Sequence, residues 1–267
     1  MTRRLILLRG GGDLASGVAL RLFHAGFEVV IAELPQPLAV RRLVSFSEAV
    51  YEGQITVEDV TARHVTPERI EAALSHREIP VIVDPEADTL RDRQYDIVID
   101  ARLLKTPPQP LPLSIPLLIG LGPGFTAPND CHAVIETQRG HYLGRVYWSG
   151  SAAPNTQTPE GDPRRVLRAN TDGIFFTRAT LGKHVEPDQL IAEIQPENET
   201  IKFGITSSFP GVLRGLLRDG MPVTRGLKIG DVDPRDNPDY CRLVSDKALA
   251  VAGGVIEAIL LHQSRER

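Results

Sequence analysis

Cysteine is scarce. Cys131 and Cys241 are the only two, too few for a disulfide framework or for a zinc site built from cysteine alone. Long apolar runs are missing as well. No stretch reaches the roughly 20 residues of a membrane-spanning helix, and the apolar run at residues 5–8 is too short for a secretory signal. Basic residues are not clustered: 30 Lys and Arg are scattered among 34 Asp and Glu, for a net charge of −4. That spread argues against a nucleic-acid partner. Aromatic residues make up 5% of the chain, whereas there are 23 Gly and 21 Pro, a balance that suits a turn-rich protein with much β structure. The hydrophobic fraction of 42% over 267 residues is enough for one large core or two smaller ones. The expectation is a soluble cytoplasmic protein with no membrane partner.

The chain is organised around residues 4–33, which read as strand, glycine turn, helix, strand. Leu5 to Leu8 are apolar, and Arg9 ends the run. Gly10, Gly11 and Gly12 supply a turn that side chains disfavour. Asp13 can cap the following helix, in which Leu14, Val18, Leu22 and Ala25 recur at helical spacing. Gly26 closes the helix, and residues 27–32 form the second strand. Gly10, Gly12 and Ala15, with Glu33 at the end of that strand, match the G-x-G-x-x-A form of the dinucleotide-binding fingerprint. The helix N-terminus would face a phosphate, and Glu33 would bond a ribose hydroxyl. A tight strand-to-helix corner with no ligand uses the same glycines, and that reading stays open.

Beyond Glu33, residues 38–49 carry Arg41 and Arg42, candidates for an anionic group, with a solvated helix face as the alternative. Residues 51–65 read as a turn and strand, and Thr66-Pro67 opens a helix through His76. Residues 79–83 and 96–100 are strands. After the proline-rich stretch 107–112 comes a strand at 115–119, which runs into a second glycine corner, Gly120, Gly122 and Gly124. Next comes Cys131-His132 through Glu136 to Arg139 and His141. Strand alternation puts His132, Val134 and Glu136 on one face. A polar site for an anionic or nucleotide ligand, a metal, and plain structural roles all fit this run, although zinc spacings are absent. Adjacent strand residues point oppositely, so Cys131 and His132 do not make a nucleophile–base pair.

Residues 151–163 are small, polar and proline-bearing, and read as a linker. Beyond it lies a repeat. Gly173 and Gly211, Gly182 and Gly220, and Val185 and Val223 are each 38 residues apart, so a unit has been duplicated. The repeat resembles the biotinyl/lipoyl-type barrel-sandwich hybrid. That resemblance places a hairpin near residues 195–200, where carrier proteins hold a modified lysine. No lysine stands there, so neither biotin nor lipoate is expected. Residues 245–262 read as an apolar helix with Ser245 as N-cap and Gly253-Gly254 in its middle. It would return to the N-terminal domain or support a homo-oligomer contact.

Several strings resemble those of the selenium-dependent molybdenum hydroxylase system protein family, the YqeB family. They are Arg9 to Ala15, Arg41-Arg42 through Gly53, Gly120 to Phe125, and His132 to Thr137 with Arg139-Gly140-His141. The resemblance implies an accessory role in maturing or modifying the molybdenum cofactor of selenium-dependent hydroxylases. It implies a nucleotide or molybdopterin dinucleotide as ligand and a molybdenum hydroxylase apoprotein as partner. The expected architecture is α/β. A Rossmann-like parallel-sheet domain over 1–150 precedes the linker, a duplicated barrel-sandwich hybrid follows over 164–235, and a C-terminal helix lies within 236–267. The expected cofactor-binding set is Gly10, Gly11, Gly12, Asp13, Ala15, Glu33, Arg41, Arg42, Gly120, Gly122, Gly124, His132, Glu136 and Arg139, with no metal ligands. An NAD-dependent oxidoreductase, favoured over an NADP enzyme because the Glu33 carboxylate repels a 2′-phosphate, is the alternative function. A non-enzymatic scaffold is a third.

Overall fold

A computed structural model describes residues 4–111, 115–154, 162–197 and 199–265. Most of the expected linker, 155–161, lies outside the described residues. The chain forms two compact units, one of residues 1–37, 45–156 and 244–267, the other of residues 38–44 and 157–243.

The first unit is built on β1 (Leu5–Arg9), α1 (Asp13–His24), β2 (Glu28–Glu33), α2 (Ala49–Glu52), β3 (Gln54–Val57), β4 (Val60–His64), α3 (Ile70–Ser75), β5 (Ile79–Val83), α4 (Thr89–Asp92), β6 (Ile97–Asp100), β7 (Leu117–Leu121), β8 (Thr126–Ala127), β9 (Ala133–Ile135), β10 (Val146–Tyr147), β11 (Gly150–Ser151) and α5 (Asp246–Arg265). Nine strands join in the order β10-β9-β7-β6-β1-β2-β5-β4-β3, and β8 pairs with β11 in a separate ribbon. The strands from β9 to β4 run parallel, while β3 and β10 are antiparallel edges. Leu7, Val30, Ile82 and Val98, from four adjacent strands, cluster with Ile70 and Leu74 of α3. The β-branched, apolar sequences of these strands are what a sheet buried on both faces requires. Helix α5 lies along α1, so closely that a Cβ on Gly17 would come within 2.6 Å of the Ala248 Cβ. Ser245 caps α5, its hydroxyl accepting from the Ala248 N–H at 3.1 Å.

The second unit contains β12 (Val166–Arg168), β13 (Gly173–Thr177), β14 (His184–Val185), β15 (Leu190–Gln195), β16 (Phe203–Thr206), β17 (Gly211–Leu216), β18 (Pro222–Val223) and β19 (Lys228–Asp233). They make two four-stranded sheets, β12-β19-β17-β14 and β16-β15-β13-β18. Each sheet takes strands from both copies of the repeat. The repeat anchors pair across the copies: Gly173 opposes Val223, and Val185 opposes Gly211. Glycine is needed at both anchors because a Cβ would lie 2.3 Å from the Gln195 carbonyl oxygen in one copy and 2.6 Å from that of Asp233 in the other.

The expected architecture is corrected on several points. The large sheet is mixed, not parallel throughout. Among the described residues no helix bridges β6 to β7 or β7 to β9. The prolines at 107, 108 and 110 account for the first of these, since proline donates no helix hydrogen bond and clashes with the preceding turn. The rest of the chain is not a barrel-sandwich hybrid closed on itself. It is two antiparallel sheets in a unit that also takes in residues 38–44. The C-terminal helix α5 groups with the first unit, in line with the expected return to the N-terminal domain.

Buried charge ties the second unit together. Asp231 binds Arg165 at 2.8 Å and Arg214 at 2.5 Å, and Asp233 binds Arg214 at 3.0 Å and Arg235 at 2.6 Å. Burial pushes the Asp233 carboxyl up, but the arginines outweigh it and bring it from 3.8 down to about 2. A carboxyl depressed in the folded state adds stability above its unfolded value and loses it as pH falls through the folded one. Stability is therefore expected to fall by roughly 2 kcal/mol between about pH 4 and pH 2 on account of this group. Urea unfolding across that range should show the slope, and Asp233→Asn should flatten it.

Candidate functional site

In open α/β sheets ligands bind at the carboxyl ends of the strands where the strand order reverses. Here the reversal falls between β1 and β6: β2 and β5 extend the sheet on one side, β7 and β9 on the other. Arg9 and Asp100 end these two strands and are both buried. The Asp100 carboxylate accepts from Arg9 Nη1 at 3.5 Å and from Arg102 Nη2 at 2.6 Å. Arg9 also donates to the Pro85 carbonyl at 3.0 Å. Burial lowers the Arg9 pKa, against the pull of Asp100. None of these three was singled out in the sequence. The available signal was a charge at the last residue of each apolar strand.

The glycine turn follows Arg9. Gly10 has φ of +95°, a conformation that favours glycine. The Gly11 N–H donates to Glu33 Oε1 at 2.6 Å, and the Leu34 N–H to Oε2 at 2.7 Å. One Glu33 oxygen thus holds the turn, and the other holds the start of its own following loop. Burial raises the Glu33 pKa, and the two N–H bonds oppose that rise. The ribose-binding role expected of Glu33 is corrected: its carboxylate is buried and committed to backbone. Glu33→Gln places an amide N–H against one of those donors and should cost about 1–3 kcal/mol, read as a lower urea midpoint.

The helix cap also differs from expectation. Gly12, not Asp13, is the N-cap of α1, no side chain caps it, and Asp13 sits in the first turn. Ser16 turns inward, donating to the Gly11 carbonyl at 2.9 Å and accepting from the Phe46 N–H at 2.7 Å. The N–H groups of Gly12, Leu14 and Ala15 meet no acceptor among the described residues. A Cβ on Gly12 would touch nothing within 4 Å. Ala15 is buried.

Lys247, in the first turn of α5, belongs to this corner and was missed in the sequence. It is partly buried, and its ammonium makes no hydrogen bond or ion pair with a described residue. Burial lowers its pKa, with Arg139 and Lys105 adding to the effect and Asp13 and Glu136 opposing it. Its neighbours in sequence fix the surroundings of its backbone: Asp246 pairs with Arg139 of the loop after β9, and Ala248 packs on Gly17 of α1. Nothing marked it in sequence, because its role depends on α5 folding back on α1.

The second glycine corner is filled by the chain itself. A Cβ on Gly120 would strike the Phe125 ring at 2.3 Å, one on Gly124 the Leu104 carbonyl oxygen at 2.6 Å, and one on Gly122 the Thr137 hydroxyl at 2.9 Å. These glycines serve close packing rather than ligand approach. Glu136 repeats the device of Glu33, accepting from the Gln138 and Ala153 N–H groups at 2.7 Å each. His132 lies before β9 and Glu136 after it, so the strand separates them end to end. His132 Nδ1 accepts from the Leu118 N–H at 2.9 Å, and its ring faces His262. Burial, then His262, lowers its pKa. Arg139 forms a two-pronged pair with Asp246 at 2.7 and 2.8 Å. The Cys131 thiol is buried and pushed up to about 11, too high for a nucleophile.

Arg41 and Arg42 are corrected as anion partners. Both lie in the second unit. Arg41 donates to the Tyr240 and Leu243 carbonyls at 2.9 and 3.0 Å, and Arg42 to the Leu216 carbonyl at 2.8 Å.

Sequence similarity identifies a relative. The chain is 46% identical over 267 residues to the uncharacterized protein YqeB of Escherichia coli strain K12. The chain is a homologue of YqeB. The match takes in 97% of this chain and 48% of YqeB, so the chain spans about half the length of that curated relative. No protein-family model matches. Solved structures similar to the chain include an aspartoacylase family protein from Mesorhizobium loti, with 14% identity, TM-score 0.28, 87% of this chain and 85% of that one. Another is a succinylglutamate desuccinylase/aspartoacylase from Rhodobacter sphaeroides, with 13% identity, TM-score 0.29, 86% and 85%. A third is the apo ectoine utilization protein EutE from Ruegeria pomeroyi, with 12% identity, TM-score 0.29, 86% of each chain. TM-scores this low carry no activity over. The expected accessory role in molybdenum cofactor maturation, with its selenium-dependent hydroxylase, is withdrawn, because the curated relative is named as uncharacterized and carries neither molybdenum nor selenium in its name. Among the described residues no helix is long and apolar enough to cross a membrane.

Proposed function

We propose that the first unit binds a small anionic molecule through an oxyanion, carboxylate or phosphate, at the carboxyl ends of β1 and β6. The observation that carries this reading is Lys247, a partly buried ammonium with no hydrogen-bond or ion-pair partner among the described residues, on a helix turn whose Asp246 pairs with Arg139 and whose Ala248 packs on Gly17 of α1. An ammonium partly drawn out of water without an ion-pair partner is costly, and a bound anion would offset that cost. The open N–H groups of Gly12, Leu14 and Ala15 supply donors, and the α1 dipole favours negative charge there. Glu33 and Glu136, which would repel an anion, are turned onto backbone N–H groups. Arg9 and Arg102 oppose the charge of Asp100.

The test is calorimetric titration with inorganic phosphate and, separately, with malonate. Lys247→Met is expected to weaken binding of whichever anion binds by about tenfold to a hundredfold, the worth of a charge-assisted hydrogen bond. Binding should also weaken as pH rises through the lowered Lys247 pKa, because the ammonium loses its charge there. Equal affinity in wild type and variant would remove Lys247 from the site.

A further inference from the structure

Helix α5 is anchored unevenly. Its buried residues run from Ala248 to Ile259, and among the described residues none beyond Ile259 is buried. Two ring contacts reach its last turn. The His262 ring lies 6.5 Å from that of His132, centroid to centroid, and the Arg265 guanidinium lies 4.7 Å from the centre of the Trp148 ring. His132 stands just before β9, and Trp148 just after β10. Histidine is the side chain that changes charge near neutral pH, so the first of these contacts depends on proton concentration.

His132 is tied to β7 by backbone and by side chain. Its backbone N–H donates to the Leu118 carbonyl at 2.8 Å, and its ring Nδ1 accepts from the Leu118 N–H at 2.9 Å. The second bond needs a lone pair on Nδ1, so the neutral ring carries its proton on Nε2. An imidazolium has an N–H at both nitrogens and no lone pair to offer. Protonation therefore breaks the ring's bond to β7 and sets a cation beside His262. The other charges nearby are engaged elsewhere. Asp130, on the same loop, accepts from the Thr126 N–H at 2.8 Å, and Arg265 sits on Trp148. Strand β7 carries no charged residue. Among the described residues His262 is the titratable group that acts on His132 through space, and it opposes a charge there.

We propose that His132 and His262 form a pH-sensitive latch, which holds the last turn of α5 on the sheet when neutral and releases it in acid. Once His132 takes a proton, its ring leaves the Leu118 N–H, while its backbone bond to the Leu118 carbonyl keeps β9 in the sheet. A second proton, on His262, sets like charges against each other across the contact. The buried residues up to Ile259 keep the rest of the helix in place. Release is thus confined to the last turn, and it takes Arg265 off Trp148. Burial, then His262, lowers the His132 pKa, so the unfolded chain binds this proton more readily than the folded one. The stabilisation is full above about pH 6.5 and is lost as pH falls through the lower folded value.

The test uses the full chain, with its only tryptophan, Trp148, as reporter. Between about pH 8 and about pH 5, above the range in which Asp233 titrates, Trp148 emission is expected to shift with a midpoint below the ordinary histidine value of about 6.5. His132→Asn should abolish the shift, because the amide oxygen accepts from the Leu118 N–H at every pH. His262→Gln should keep the shift and move its midpoint up. Wild-type emission that stays constant over this range would overturn the latch, and so would a shift that survives in His132→Asn. An unmoved midpoint in His262→Gln would overturn the pairing of the two histidines. Ring ¹⁵N shifts of the wild type at about pH 8 should show His132 as the Nε2–H tautomer. The Nδ1–H tautomer would overturn the mechanism without recourse to any variant.

Discussion

Gly12→Val is expected to give a folded protein that has lost phosphate binding. Gly12 has φ of −69° and ψ of −175°, extended backbone that any residue adopts. A Cβ there meets nothing within 4 Å. Neither conformation nor packing within the chain therefore calls for glycine at 12. Valine is a poorer N-cap than glycine by about 1 kcal/mol, which lowers the melting temperature by roughly 2–4 °C in a protein of this size. Its branched side chain would stand in front of the Gly12, Leu14 and Ala15 N–H groups and exclude an oxyanion. Affinity is expected to drop at least about a hundredfold, the loss of two or more hydrogen bonds to a charged group. Thermal unfolding and calorimetry on one preparation separate the two effects. Retained affinity would show that the anion does not sit at the α1 N-terminus.

The second large effect concerns stability. Gly253 and Gly254 both lie within α5, and helix propensity alone makes each worth about 1 kcal/mol on replacement by alanine. Packing splits them. Gly253 is exposed, and a Cβ added there would meet nothing within 4 Å. A Cβ on Gly254 would lie 2.1 Å from the Gly144 carbonyl oxygen and 3.0 Å from Ile135 Cγ2. Gly253→Ala should stabilise by up to about 1 kcal/mol. Gly254→Ala should destabilise by about 1–3 kcal/mol, because helix and loop must move apart. Opposite shifts in the urea midpoint are expected. A gain from both would mean that α5 does not press on the loop before β10 as described.

These residues also show how far the sequence alone could be read. The turn at Gly10 and the repeat anchors at Gly173 and Gly211 were legible. Backbone conformation and close approach demand glycine locally, whatever the rest of the chain does. The strands β1, β2, β5 and β6 were legible from their apolar runs. The duties of the polar residues were not. Glu33 and Glu136 sit where acids that contact ligands often sit, yet each binds two backbone N–H groups. Only the path of the following loop decides that. Arg41 and Arg42 looked like anion binders, but they satisfy carbonyls of residues about 175 to 200 positions further on. Lys247 became visible only once α5 was placed against α1.

A backbone amide ¹H–¹⁵N spectrum of the wild-type protein titrated with inorganic phosphate tests the anion site most directly. Saturable shifts of the Gly12, Leu14 and Ala15 amides are expected, with smaller changes at the start of α5 around Lys247. Those shifts should be absent in Gly12→Val. Shifts confined to other surfaces, or none at millimolar phosphate, would contradict an anion site at the carboxyl ends of β1 and β6.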